Sequence, residues 1–274
     1  MIDVRICTAA SSATATSDCR GGVLISGSYG GEYNAWHAAK WGLRGVVLND
    51  AGIGKDEAGI RGLAYLDEVG VPAAAADAWT CHIGDADHML FHGTISRVNR
   101  AASRLGCIPG QSVRHCAERM TTGPIVDAPL PSINGGKRHV ISHLPGEPAV
   151  TCLDAAPMLE PSDAGSIVVT GSHAALFRGK PDGLINVDVR AIFFSDAGVG
   201  LDDAGIARLP TLDERGIAAA TASVESAAIG DARDIYNQGV ISFTNSTANT
   251  LGARPGMSIQ TFVRILLARW RKLA

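Results

Sequence analysis

The apolar positions of this chain come in short runs, separated by longer stretches of mixed character. Val23-Leu24-Ile25-Ser26-Gly27, Val46-Val47-Leu48-Asn49-Asp50 and Val71-Pro72-Ala73-Ala74-Ala75-Ala76 have the length of strands and end at glycine or polar residues. Such runs mark strands buried on both faces. Between the first two, residues 31–41 place Tyr33, Trp36 and Ala39 on one side at helical spacing, with Gly42 as a stop signal. Between the second and third, residues 56–69 do the same with Ile60, Leu63 and Leu66. Ser96 is an N-cap candidate for a helix ending near Gly106.

The same order returns later. Residues 167–170, 192–196 and 217–222 are the matching apolar runs. Pro210 falls inside the stretch that matches the helix at 56–69. Proline lacks the N–H of a helical hydrogen bond, so two short helices with a break are expected there. At the C-terminal end Ile259, Phe262, Leu266, Trp270 and Leu273 share one side, and residues 264–272 are basic. That predicts a docked terminal helix whose cations suit its C-terminal dipole.

The recurrence extends to identity. The segment from Asp50 through Ala51-Gly52-Ile53-Gly54 to Ala58-Gly59-Ile60 reads against Asp196 through Ala197-Gly198-Val199-Gly200 to Ala204-Gly205-Ile206. The same offset pairs Leu63 with Leu209, Ile83-Gly84-Asp85 with Ile229-Gly230-Asp231, Asn99 with Asn245 and Pro109-Gly110 with Pro255-Gly256. About half of the aligned residues over this stretch are identical. Upstream the offset shrinks by two, pairing Gly27-Ser28 with Gly171-Ser172. The sequence therefore reads as a tandem duplication of a unit of about 125 residues. The first copy spans 1–128, a Pro/Gly-rich linker spans 129–148, and the second copy spans 149–274.

Short buried strands alternating with helices define the fold class as α/β, with mostly parallel sheets. Two domain-sized copies are expected to pack about a pseudo-twofold axis, as a fused form of a symmetric dimer. A small-molecule site is then expected in the cleft between them, beyond the carboxyl ends of the strands.

Composition narrows the function. Hydrophobic residues are 46% and charged residues 19% of the 274, which excludes a disordered chain. The formal net charge of −3 argues against nucleic-acid binding, and no apolar run is long enough for a membrane span. The start carries no signal-peptide pattern, so a cytoplasmic protein with reduced thiols is expected. The six cysteines show no CxxC or zinc spacing. The partner expected is a small-molecule substrate, with room for assembly into a homo-oligomer.

The candidate chemistry lies at strand ends. Ser28 and Ser172 follow Gly27 and Gly171, where a hydroxyl has the place of a nucleophile and nearby amides that of an oxyanion hole; the competing role is an N-cap. Asn49, Asp50, Gly52 and their counterparts Asp196 and Gly198 sit in an Asp-Ala-Gly-x-Gly-x-Asp turn. That turn is neither a Walker A loop nor G-x-G-x-x-G, so no nucleotide cofactor is expected. The competing role for Asp50 is capping its own turn.

The copies also differ. The first holds Lys55, Cys81 and His82 where the second holds Leu201, Ala227 and Ala228, and the second holds His173 where the first holds Tyr29. Such asymmetry predicts one competent site drawn from both halves. Cys81 is read as an alternative nucleophile or a small buried hydrophobe, and His82 or His173 as proton carriers oriented by Asp50 or Asp196. Gly27, Gly171, Asn49, Gly52, Lys55 and Gly198 are the substrate-binding candidates. His82, Asp85, His88 and His92 cluster without a specific metal spacing, so no metal is expected. The leading expectation is a cofactor-independent hydrolase of a small cyclic amide or ester. The alternatives are a lyase or isomerase working beside a carbonyl, and a non-catalytic receptor for a small anion.

Overall fold

A computed structural model describes residues 5–133, 135–181 and 183–273. The first half contains β1 (Ile6–Ala9), β2 (Val23–Tyr29), α1 (Glu32–Ala39), β3 (Gly45–Asn49), α2 (Arg61–Glu68), β4 (Ala73–Ala76), α3 (Ala86–His92), β5 (Ile95–Val98), α4 (Arg100–Arg104) and α5 (Val113–Met120). The second contains β6 (Arg138–Ser142), β7 (Val150–Leu153), β8 (Ile167–His173), β9 (Ala191–Ser195), α6 (Leu209–Asp213), β10 (Ala218–Ala222), α7 (Ala232–Gln238), β11 (Ile241–Thr244), α8 (Ser246–Thr250) and α9 (Ile259–Leu273).

The fold is α/β in two similar halves. One sheet has the order β1-β2-β3-β4-β5, the other β11-β10-β9-β8-β7-β6. β1 to β4 are parallel, as are β7 to β10. β5 and β11 close one edge of each sheet antiparallel.

Strand alternation builds two cores on each sheet. Leu24, Leu48, Ala73 and Ala75 face α1 and α2, and pack with Ala35, Ala38, Leu63 and Leu66. Val23, Ile25, Val47 and Ala74 face the other way, toward Met89, Val113, Cys116 and Met120 of α3 and α5. The second half repeats the scheme. There α9 covers one face through fully buried Ile259 and Phe262. Burying such a side chain contributes about 1.5–3 kcal/mol. The terminal helix is therefore a docked element as the periodicity predicts; the side chain of Leu273 lies outside the described residues.

Four sequence expectations change. β2 runs on to Tyr29, so Gly27 and Ser28 lie inside the strand, not in a turn after it. Ser96 belongs to β5, and α4 is capped by Asn99, whose side chain accepts from the Ala102 amide at 2.9 Å. Asn99 is preferred because the same amide group also ties the start of β4, accepting from Ala73 N and donating to Val71 O. The segment between the copies contributes β6, which pairs antiparallel with β7. Residues 56–69 form a short 3-10 turn (Lys55–Glu57) followed by α2. In the second half Pro210 occupies the first turn of α6, where its missing N–H costs nothing. No helix among the described residues is long and apolar enough to cross a membrane.

The halves meet through the loops after β3 and β9. Lys55 N donates to Val224 O at 2.9 Å, and Leu201 N donates to Ala78 O at 2.8 Å. These are the same bond with the halves exchanged, the reciprocity an isologous contact requires. Ala51, Ile83, Ala197, Val224 and Ile229 form a small apolar core at the junction.

Candidate functional site

The junction loops carry an unusual backbone. Ala51, Gly52, Ile53 and Gly54 have φ of 49, 71, 66 and 65°, and Ala197 to Gly200 repeat the run at 50, 71, 65 and 72°. Left-handed backbone is costly for β-branched Ile53 and Val199. Strain of this kind clusters at functional sites and has to be held by surrounding bonds. Here Asp50 Oδ1 accepts from Gly52 N and Ala78 N, both at 3.0 Å, and Asp196 Oδ1 accepts from Gly198 N and Val224 N at the same distance. Asn49 Oδ1 accepts from Ala51 N at 2.9 Å.

These bonds reassign several candidates. The amides of Ala51 through Lys55 all have acceptors within the fold, so Gly52 and Gly198 offer no donor to an oxyanion. Asp50 and Asp196 clamp their loops and are hydrogen-bonded to no imidazole among the described residues. Burial raises the Asp50 carboxyl above the ordinary carboxylate range, against the pull of Ser96 and the two amides.

The serines are likewise engaged. Ser28 is buried; its Oγ accepts from Ser12 N at 3.0 Å and donates to Ser11 Oγ at 3.3 Å. Ser172 Oγ accepts from Ala156 N at 2.9 Å. Both flank glycines that let another loop approach: Gly27 O accepts from Gly84 N and Gly171 O from Gly230 N, each at 2.8 Å. A Cβ on Gly27 would lie 2.7 Å from the Gly84 carbonyl carbon, and one on Gly171 2.8 Å from that of Gly230.

Cys81 is fully buried, and burial pushes its thiol up to about 12. Its Sγ donates to Asp77 O at 3.4 Å and lies 3.7 Å from the Asn49 amide nitrogen. The thiol is thus neutral in a neutral solution, a poor nucleophile. His173 is buried, with Nδ1 accepting from Ala175 N at 3.2 Å.

His82 is the candidate with a different environment. Its Nε2 lies 2.8 Å from Asp202 Oδ2, joining an imidazole of one half to a carboxylate of the other. The side chain of His82 is 26% exposed and that of Asp202 73%, so solvent reaches the pair. His88 stacks on His82 at 3.8 Å between ring centroids, and His92 follows at 4.5 Å. His88 Nδ1 accepts from His82 N at 3.3 Å. Burial, then the neighbouring His82 and His92, lower the His88 pKa and keep that ring neutral. The rings face one another instead of converging their nitrogens, and among the described residues no group of three or more His, Cys, Asp or Glu is arranged to hold a metal ion.

The exchanged position is built otherwise. Offset pairing sets Asp234 against His88, Ala228 against His82 and Leu201 against Lys55. There Asp234 Oδ2 accepts from Ala228 N at 2.8 Å, as His88 accepts from His82 N. Lys55 Nζ then binds both Asp234 oxygens at 2.8 and 3.0 Å. One junction position therefore holds an ion pair and the other a histidine stack with a carboxylate. Asp202 and Asp234 were not singled out from the sequence. The signal available was the substitution of Asp234 for His88 between the copies.

No protein-family model matches the chain, and neither a curated protein nor a solved structure matches it.

Proposed function

We propose that this protein is an enzyme that moves protons on a small polar carbonyl compound, without a covalent intermediate, at the His82–Asp202 pair. The observation that carries the reading is the 2.8 Å contact between a solvent-reachable imidazole and a carboxylate across the junction. His82 is the proton carrier. Asp202 orients the ring and stabilises the imidazolium. His88, stacked beneath and bonded to the His82 amide, holds the ring in place. Asp202 also lines a groove of about 480 Å³ with Asp203, Ile206, Leu209 and Phe243, a size that suits a small ligand. The engaged states of Ser28, Ser172 and Cys81 favour isomerisation or elimination beside a carbonyl over acyl transfer. Hydrolysis of a cyclic amide or ester is the second reading, with His82 drawing the proton from water; the exposure of Asp202 supports it.

The test is proton exchange in D2O, followed by NMR, over small keto acids, hydroxy acids, lactones and cyclic amides. Exchange at carbon beside the carbonyl, lost in His82→Asn and Asp202→Asn but kept in Cys81→Ala, supports the first reading. Ring opening with solvent oxygen incorporated and no carbon exchange supports the second. Turnover indifferent to His82→Asn overturns both.

A further inference from the structure

The junction also contains a cavity that the proton-transfer reading does not use. It is half open to solvent, measures about 170 Å³, and is lined by Tyr29, Glu32, Tyr33 and Arg61 of the first half and by Gly230 and Asp231 of the second. At ~30 Å³ per water this is room for about six waters, the size of a small metabolite.

Tyr29 is the central observation. The residue is 7% exposed, and among the described residues its hydroxyl has no hydrogen-bond partner. The hydroxyl abuts the Cα of Gly230, where a Cβ would come within 2.3 Å of it, so glycine is what leaves it space. The hydroxyl is not among the side-chain atoms that are both sealed from solvent and unpartnered, so it is a donor open to whatever occupies the cavity. Burial, then the Asp154 charge, raises the Tyr29 pKa, so the group remains a neutral O–H donor.

The remaining lining has both signs of charge. Arg61 uses Nε on Asp56 O at 3.0 Å and pairs through Nη2 with Asp56 Oδ2 at 3.7 Å, leaving Nη1 without a hydrogen bond among the described residues. Asp231 uses Oδ1 on the Asp234 amide at 2.9 Å, and its second oxygen has no such bond. Glu32 adds a further carboxylate. A guanidinium and a phenol O–H suit a carboxylate, while Glu32 and Asp231 suit an ammonium group.

The counterpart of this cavity is closed. Gly84 takes the place of Gly230, and there the 175–178 segment packs on it: Arg178 N donates to Gly84 O at 3.0 Å, and a Cβ on Gly84 would lie 2.7 Å from Leu176 O. Ala207 stands where Arg61 stands, and His173 where Tyr29 stands. One of the two equivalent places is filled with chain and the other left as a polar cavity.

From this we infer that the Tyr29–Arg61 cavity is a second ligand site, specific for a small zwitterion of amino-acid size, separate from the His82–Asp202 pair. Its carboxylate bonds Tyr29 and Arg61, and its ammonium group meets Glu32 and Asp231. The experiment is calorimetric titration of the full chain with L-alanine, L-serine and L-glutamine, with propionate and ethylammonium as half-charged controls. One zwitterion is expected to saturate at one per chain. Tyr29→Phe and Arg61→Gln, each checked for an unchanged circular-dichroism melt, weaken it about tenfold or more, the loss of a hydrogen bond to a charged group. His82→Asn leaves it unchanged, which keeps this result distinct from that of the proposed reaction. The inference is overturned if no zwitterion saturates by about 10 mM, the range of the weakest specific binding. It is equally overturned if propionate or ethylammonium binds as well, or if Tyr29→Phe binds as the native chain does.

Discussion

Gly52 and Gly198 touch across the junction through their backbones: a Cβ on Gly52 would stand 2.9 Å from the Gly198 Cα, and one on Gly198 2.8 Å from the Gly52 Cα. Both residues also have φ of 71°. Alanine at either position is thus strained in its own backbone and pressed against the partner loop. Each single substitution is expected to cost about 2 kcal/mol. Thermal melts should fall by several degrees, and the double variant should cost less than the sum, because both replacements displace the same contact.

Lys55 and Asp234 connect the halves with side chains that are 30% and 22% exposed. Partial burial makes the pair worth more than a surface bridge and leaves Asp234 poorly served when the lysine is removed. Lys55→Met should lower stability by about 1–2 kcal/mol. A double-mutant cycle with Asp234→Asn should return a coupling of about 1 kcal/mol that shrinks in high salt. Zero coupling would mean the contact contributes nothing to holding the halves together.

The Asp50 carboxyl gives the fold a pH dependence of definite sign. Its pKa is raised in the folded chain above the ordinary 3.8, by burial. The folded state therefore holds the proton more tightly than the unfolded one. Ionisation weakens the fold, and stability declines as pH rises from the ordinary carboxylate range through the folded pKa. Asp50→Asn keeps a carbonyl for the Gly52 and Ala78 amides. Urea melts should show the variant matching the native chain near pH ~4 and exceeding it toward neutrality. A gap that is constant with pH would count against burial as the cause.

All six cysteines are free and buried. Their native-state reaction with a thiol reagent at neutral pH should be slow and should follow unfolding, with all six released in denaturant. Cys81 in particular, pushed up to about 12, should not be alkylated first. Rapid modification of a single thiol, mapped to Cys81 by mass spectrometry, would restore it as a nucleophile.

Much of the fold was legible because its signals are local. The runs at Val23 and Val46 are strands since both faces of the sheet are covered, and every residue of β2 and β3 is buried. Pro210 marked a real break, with a 3-10 segment at Leu201–Ile206 and α6 after it. β5 and β6 were missed for the opposite reason. β5 buries only Ile95 beside exposed Arg97, and β6 leaves Val140 60% exposed at a sheet edge, so neither has a buried run. Serine and asparagine are both capping residue types, and only the start of β4, at Val71 and Ala73, decides for Asn99 over Ser96.

The site divides in the same way. Lys55 and His82 stood out because the copies differ at those positions. Their partners, 179 and 120 residues away, carry no local mark. The local pattern fixes that buried strands alternate with helices, and that this order occurs twice with about half of the aligned residues identical. Tertiary structure alone decided which of those residues meet: that Asp50 and Asp196 hold loops, that His82 meets Asp202, and that Tyr29 is left facing a cavity. Periodicity encodes which face of an element is buried. Which side chain lies opposite it depends on how two separately folded surfaces dock, and that is a property of their shape.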